Sequence, residues 1–157
     1  MIFNSLHPNS RIWLYISSIP INNFNKENIL LLFKEFNDEW KSHGEKISGS
    51  IKFIGNNIVI IGANYLGGDM CGRSVDAQVR FVRGIDQELG IDLLNRNNLA
   101  FTISDIIKIF SFSEIENLIK EEKINRSTSF YNKFCSRNSD FLQLPFGKST
   151  LGSRYFS

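Results

Sequence analysis

The order of apolar segments predicts an α+β fold: a ferredoxin-like βαββαβ two-layer sandwich with an extra strand, a short helix and an extended C-terminal segment. Two observations support this prediction. Residues 11–17 and 58–61 are almost continuously apolar, as expected of central strands that are covered on both faces. Two amphipathic segments with helical spacing separate the strands in the order that a split βαβ unit requires.

The first strand and the first helix are predicted from residues 11–44. Residues 11–17 alternate Ile and Leu with Trp and Tyr, which suits a strand. Asn25 is expected to cap the following helix, and Gly44 is expected to end it. The apolar face of this helix consists of Ile29, Leu32, Phe33, Phe36 and Trp40.

A hairpin follows, formed by strands at residues 47–54 and 58–61. Asn56 and Asn57 are expected to make its tight turn, because asparagine tolerates positive φ. The second of these strands is apolar at every position. It is therefore expected in the middle of the sheet.

A glycine-rich loop then leads into the central helix. Ser74 is expected to be its N-cap, Asp76 to lie in its first turn, and Gly90 to end it. Gly84 lies inside the helix and weakens it by about 1 kcal/mol relative to alanine. The apolar face consists of Val75, Val79, Phe81, Val82, Ile85 and Leu89.

Two further strands are predicted at residues 99–103 and 106–110. Ser113 and Glu116 are expected to form a capping box before a short helix. Residues 125–157 carry too many large apolar side chains for a disordered tail, so they are expected to pack on the domain in extended form. The chain is therefore predicted to be a single domain over residues 1–157, with an α+β core at residues 1–124 and a basic, aromatic-rich extension at residues 125–157.

The composition limits the class of protein. The net charge is +2, but residues 1–123 carry −2 and residues 124–157 carry +4. Two cysteines and two histidines provide neither a disulfide framework nor a zinc ligand set, so no metal and no cofactor are expected. The N-terminus lacks signal-peptide features and no stretch is long and apolar enough for a membrane span, so a cytoplasmic protein is expected.

The central block, residues 74–96, resembles part of a known family. The residues that carry the resemblance are Ser74, Val75, Asp76, Val79, Arg80, Phe81, Asp92, Leu93 and Arg96. Further matches outside the block are Trp40, His43, Gly44, Ser153, Arg154 and Tyr155. On these residues the chain resembles a family of short, uncharacterised Bacteroidota proteins that are commonly mislabelled as ABC transporter ATPases. The resemblance implies no activity or cofactor. The family's cysteine falls on Arg73, and Cys71 lies two residues earlier.

The sequence does not predict ATP hydrolysis. A P-loop needs a glycine, four residues and then Gly-Lys-Ser/Thr, between a strand and a helix. The only such triplet is Gly147-Lys148-Ser149, where Leu142 takes the place of the first glycine and Pro145 lies inside the loop.

Two functions are left open. The first is a small binding module for a protein or RNA partner, without catalytic residues, and its oligomeric state is not predicted. The second is an enzyme or sensor for a small anionic ligand, held where a glycine-rich loop meets a helix start. The residues expected to bind that anion are Gly67, Gly68, Gly72, Arg73, Ser74 and Asp76.

Two further sets of residues are candidates for function. Charged and aromatic side chains around the central helix could form one functional cluster, namely Trp40, His43, Arg80, Asp92 and Arg96. The structural alternative for Asp92 and Arg96, together with Asp76, is a cap and an ion pair that tie the helix to the next loop. For His43 it is an interaction with the C-terminus of the first helix. Cations of the tail could meet phosphates on a common surface, namely Lys133, Arg137, Lys148 and Arg154.

Overall fold

Helices and antiparallel strands form the domain. The computed structural model describes residues 1–65 and 69–156. In this part of the chain, no helix combines the length and the apolar character needed to cross a membrane. The elements in chain order are β1 (Arg11–Ile16), α1 (Asn23–Glu39), β2 (Lys41–Ser42), β3 (Glu45–Lys46), β4 (Ser48–Ile54), β5 (Ile58–Asn64), α2 (Gly72–Leu89), β6 (Asn98–Ile103), β7 (Ile106–Ser111), α3 (Ile115–Lys120), β8 (Ser129–Tyr131) and β9 (Gln143–Pro145).

β5 is the centre of the first sheet, whose strand order is β1-β5-β4. Both neighbours run antiparallel to it. Val59 and Ile61 face the helices, whereas Ile58 and Ile60 face the opposite side, and all four side chains are at most 1% exposed. A strand that is buried on both faces needs apolar side chains on both, which explains the continuous apolar run.

The predicted fourth strand, β6, does not join this sheet. It belongs to a second sheet of order β7-β6-β8-β9. β6 pairs with β7 through a two-residue turn in which Ser104 (φ 52°) and Asp105 (φ 62°) are both left-handed. Its other edge pairs with β8, where Phe101 lies opposite Phe130. The helices and antiparallel sheets make this an α+β fold. Because both edges of β6 are occupied within the second sheet, β6 does not join β1 to complete a ferredoxin-like sheet.

Four layers result from this arrangement. The helices α1 and α2 pack on one face of the first sheet, around Phe33, Val82 and Ile85. The opposite face packs against the second sheet, with Ile12 and Ala100 among the buried residues. The outer face of the second sheet is covered by α3 and the end of the tail.

The start and end of α1 differ from the prediction. Asn22 is the N-cap, and its side chain accepts a hydrogen bond from the backbone N–H of Asn25 at 2.8 Å. The helix ends at Glu39. His43 (φ 52°) and Gly44 (φ 79°) instead form the turn between β2 and β3, because two positive φ values suit a tight hairpin turn.

Two other turns are also shifted. The positive φ between β4 and β5 occurs at Gly55 (57°) and not at the two asparagines that follow it. The capping box lies at Ser111 and Glu114, two residues before the predicted Ser113 and Glu116. The Glu114 carboxylate accepts a hydrogen bond from the backbone N–H of Ser111 at 2.7 Å. Each shift moves a boundary and leaves the predicted type of element unchanged.

The tail is part of the second sheet. Its strands β8 and β9 extend that sheet beyond β6. Phe130 and Phe146 are at most 1% exposed and pack against Phe101, with ring centroids 5.1 and 5.0 Å away. Truncation before residue 125 would therefore remove core side chains as well as surface charge.

We expect Phe146→Ala to lower the free energy of unfolding by about 3–5 kcal/mol, because it leaves a cavity among packed aromatic rings. Phe141→Ala is the control in the same tail, since the Phe141 side chain is 82% exposed. It should change stability by no more than about 0.5 kcal/mol. Urea denaturation measures the free energy of unfolding of both variants. An effect of Phe146→Ala as small as that of Phe141→Ala would show that the tail does not contribute to the core.

Candidate functional site

The predicted anion-binding loop is only partly described. Gly67 and Gly68 lie outside the described residues. Gly72 is the first residue of α2, and Cys71, not Ser74, is its N-cap. Asp76 falls beyond the first turn, and both Asp76 and Arg73 are exposed.

Ser74 serves the structure of the helix start. Its hydroxyl donates to the carbonyl of Cys71 at 2.7 Å, and its own carbonyl accepts from Nε1 of Trp40 at 2.9 Å. The backbone N–H of Cys71 donates to the Ser42 hydroxyl at 2.9 Å. These bonds tie α2 to the end of α1 and to β2. They leave the Ser74 hydroxyl proton engaged within the protein.

Cys71 is a distinctive thiol at this helix start. Hydrogen bonds with Ser74, then with Ser42 and the backbone of His43, lower the pKa of the half-buried Cys71 thiol to about 6. Burial instead raises the pKa of Cys135 to about 11. Thiolate reactivity follows the pKa of the thiol, so the two cysteines differ in chemistry. Among the described residues, no group of three His, Cys, Asp or Glu side chains could hold a metal.

The predicted cluster around the central helix is divided between the ends of α2. Trp40 and His43 lie at its start, where Nε2 of His43 is 3.2 Å from the carbonyl oxygen of Asp69. Asp92 and Arg96 follow its end. An 18-residue helix is about 27 Å long, so these pairs cannot act on one ligand.

Asp92 holds the loop after α2 against the end of β1. Its carboxylate accepts from the Ser17 hydroxyl at 2.9 Å, from the Ser18 N–H at 2.7 Å and from the Ser18 hydroxyl at 2.7 Å. Burial alone would raise the pKa of Asp92, but hydrogen bonds, chiefly from Ser18, outweigh it and hold the pKa at about 2. The residue therefore has a structural role, with serine partners in place of the predicted ion pair.

Asp86 fixes the same loop from the other side. Its two carboxylate oxygens accept from the backbone N–H groups of Leu93 and Leu94, each at 2.9 Å. Burial raises the pKa of Asp86, and the negative charge of Asp92 raises it further, whereas the two hydrogen bonds lower it. With both carboxylates in place, the loop presents Arg96 in a defined position.

This loop forms one wall of a cavity of about 250 Å³, which we name the edge cavity. The other walls come from β1, α2, the start of β6 and the tail. The lining residues are Leu14, Tyr15, Ile16, Val79, Leu93, Leu94, Asn95, Arg96, Asn98 and Lys133.

The edge cavity lies along the outer edge of β1, the edge that faces away from β5. Alternate residues of an edge strand turn their backbone groups away from the sheet. The Ile12 N–H donates to Ser136 at 3.0 Å, and the Ile16 carbonyl accepts from Nδ2 of Asn98 at 3.0 Å. Leu14 lies midway, so the same alternation turns its N–H and C=O toward the edge cavity.

Two cations line the edge cavity, Arg96 from the loop and Lys133 from the tail. Nζ of Lys133 donates to the carbonyls of Arg96 and Asn98, the latter at 3.2 Å. Burial lowers the pKa of Lys133, and the charge of Arg96 lowers it further. Within residues 1–65 and 69–156, neither cation forms an ion pair, whereas Lys123 and Glu121 do. The third ammonium proton of Lys133 is left for another acceptor.

The other cations of the tail lie elsewhere. Arg137 donates to the carbonyl of Asn9 at 3.2 Å. Lys148 lines a different cavity together with Arg126. The four tail cations therefore do not line a single cavity, and Arg154 lies in the turn after Leu151.

The Gly147-Lys148-Ser149 triplet belongs to a short 3₁₀ turn. The Gly147 N–H donates to the carbonyl of Arg126 at 2.8 Å, and the Ser149 hydroxyl donates to the carbonyl of Phe146 at 2.6 Å. A phosphate-binding loop would need these groups for the nucleotide and its metal ion. Here they stabilise the packing of the tail.

Sequence reasoning named Arg96 and Lys133 but in separate sets, and it missed Leu14 and Asn98. Asn98 is 4% exposed, and a polar residue directly before an apolar strand could have suggested it. No signal in the sequence identifies Leu14, because its contribution is its backbone at an edge that tertiary pairing leaves open.

The fold and the site define a class: an α+β protein with two packed antiparallel sheets, outer helical layers and a cationic cavity at a sheet edge. Comparisons with family models, with curated protein sequences and with solved structures gave no match.

We expect Asp92→Asn to lower stability at neutral pH by about 1–2 kcal/mol, because the serine donors lose their charged acceptor. The folded pKa of about 2 lies below the ordinary value of about 3.9. The stabilisation of the folded state by the Asp92 carboxylate is thus fully present above about pH 4 and is lost as the pH falls toward 2. Urea titrations across this range should show the gap to wild type closing. A gap that does not depend on pH contradicts the role, and the exposed Asp38→Asn is the control.

We expect iodoacetamide to alkylate Cys71 well before Cys135 at pH 7, because only Cys71 is then mostly thiolate. Peptide mass spectrometry over a pH series should place the midpoint of the Cys71 rate near 6. Ser74→Ala should move this midpoint upward. A midpoint near the ordinary thiol value of about 8.5 in the wild type would refute the assignment.

Proposed function

We propose that the protein binds a small anionic ligand in the edge cavity. The observation that carries this proposal is the pair of cations, Arg96 and Lys133, which line the cavity and form no ion pair within the described residues. Lys133 is half-buried, which makes its charge costly to desolvate, and the like charge of the exposed Arg96 repels it. An anion between them would relieve both costs, so the proposed ligand supplies the missing counter-charge.

The lining favours a compact carboxylate over a larger phosphate ester. A carboxylate matches the planar fork of the Arg96 guanidinium and can accept the third proton of Lys133. Leu14 offers one backbone donor and one acceptor, which suits a ligand that carries an amide or amine beside its carboxylate. Apolar walls from Leu93 and Val79 fit a short hydrocarbon part. The ligand class is therefore a small amino- or acylamino-carboxylate.

This proposal takes up the second of the two functions left open by the sequence, a small anionic ligand, and moves its site. At the predicted loop, the Ser74 hydroxyl is engaged with Cys71. In the edge cavity, by contrast, the cations have spare hydrogen-bonding capacity. The proposal concerns binding and not turnover, and ATP hydrolysis is not part of it.

We also infer membership of the Bacteroidota family and a cytoplasmic location. Val79, Leu93 and Arg96 of the resembling block line the edge cavity, and Asp92 supports its loop, which favours a shared site. A half-exposed thiol of low pKa at Cys71 is better preserved in a reducing compartment.

The test is calorimetric titration with a panel of amino- and acylamino-carboxylates, inorganic phosphate and nucleotides. We expect a carboxylate to bind, and we expect Arg96→Gln or Lys133→Met to weaken it about tenfold or more, since each removes a charged hydrogen bond. Lys148→Met is the matched control, because Lys148 lies outside the edge cavity.

Three outcomes would contradict the proposal. One is the absence of binding by every compound at millimolar concentration. Another is binding that the Arg96 and Lys133 variants leave unchanged. The third is binding of an RNA oligonucleotide that all four tail cations support equally, which would favour the RNA-binding hypothesis instead.

A further inference from the structure

A groove runs between α1 and α2 on the face opposite the first sheet. One hollow, of about 390 Å³, has an apolar floor of Leu32, Phe36, Phe81 and Ile85. A second hollow, of about 290 Å³, shares Phe36 and Glu39 with the first and reaches Arg73 near the start of α2. We name the two together the helix groove.

The helix groove is long enough for a segment of polypeptide. Along α2 it extends from Arg73 to Glu88. Fifteen residues of helix correspond to about 22 Å, which is about four turns. A hollow of this length, with aromatic side chains at its floor, matches the way one helix packs between two others.

Gly84 lines the helix groove and has no structural need to be glycine. It lies inside α2, where glycine destabilises a helix, and its φ is not positive. A Cβ atom at this position would have no heavy atom within 4 Å among the residues that the structure describes. Neither backbone conformation nor crowding within the chain accounts for it. A bare stretch of backbone in a groove does allow close approach by another chain.

Charge around the helix groove selects the partner. The excess of negative charge is confined to the first hollow, where Glu35, Glu39 and Glu88 face the single cation Arg80. The second hollow carries Lys41 and Arg73 beside Glu39, so the basic side chains of a partner belong over the first hollow. This local excess of negative charge contrasts with a chain whose net charge is +2. The exposed Leu31, one turn before Glu35, extends the apolar surface at the same rim.

We propose that the helix groove binds an amphipathic helix of another protein, with an apolar stripe on the floor, a small residue over Gly84 and Lys or Arg beside the three glutamates. This interaction is independent of the edge cavity. It concerns a different face of the molecule and different charges.

The experiment uses the full chain and a fluorescein-labelled, 18-residue probe peptide, with a helical stripe of leucine and alanine and flanking lysines. Fluorescence anisotropy should show saturable binding. Gly84→Phe, which fills the groove, and the double variant Glu35→Lys/Glu88→Lys should each weaken binding by about tenfold or more. The matched control is Lys148→Met, which lies outside the helix groove and should bind the probe as the wild type does. Gly84→Ala adds one methyl group at the point of close approach and should weaken binding less than Gly84→Phe does.

Circular dichroism and melting of each variant separate loss of the groove from loss of the fold. A Gly84→Phe protein that is folded but binds as tightly as wild type would overturn the proposal. Equal binding of a peptide with glutamates in place of the lysines would also overturn it. So would sedimentation showing a dimer of this chain that Gly84→Phe dissociates, because the occupant would then be a second copy.

Discussion

The pairing of β6 with β7 and β8 is the constraint on which the rest of the structure depends. β6 lies in the middle of the second sheet, with the tail on one side and its own hairpin partner on the other. Because its hydrogen-bonding groups are engaged on both edges, it can contact β1 only through the Asn98 side chain and through packing. The two sheets therefore stack face to face, and the apolar cluster that contains Ile58 and Ile60 fills the space between them.

The outer edge of β1 is the direct consequence. An open sheet edge invites pairing with other chains, and proteins usually cover it. Here the tail covers one end through Ser136, and Asn98 covers the other. The middle of the edge faces the edge cavity, beside Arg96 and Lys133. The same strand edge is thus protected at both ends and lines the candidate binding site in its middle. The loop that carries Arg96 is anchored beside it by Asp86 and Asp92.

The edge cavity and the first hollow of the helix groove have opposite charge and lie on different layers. The edge cavity is cationic and small, so it suits a compact anion. The first hollow of the helix groove is bordered by three glutamates and one arginine, so it suits the basic side chains of a polypeptide that lies along α2. The modest net charge of the chain conceals this separation, since the positive and negative regions nearly cancel. Arg80 lines the groove, whereas Val79 lines the edge cavity, so adjacent residues of α2 serve both surfaces.

The sequence by itself determined the α+β class, the two long helices, the doubly buried β5 and the Gly90 stop of α2, which ends in the left-handed conformation (φ 65°). These features follow from periodicity and glycine geometry within short windows. Only the tertiary structure decided which edge β6 pairs with, because β7, β8 and β1 compete for it across tens of residues. The tertiary structure also brought Arg96 and Lys133 together and turned the backbone N–H and C=O of Leu14 toward the edge cavity. It placed His43 and Asp92 at opposite ends of α2. Local pattern encodes which face of an element is buried, but the partner is selected by the global competition among edges.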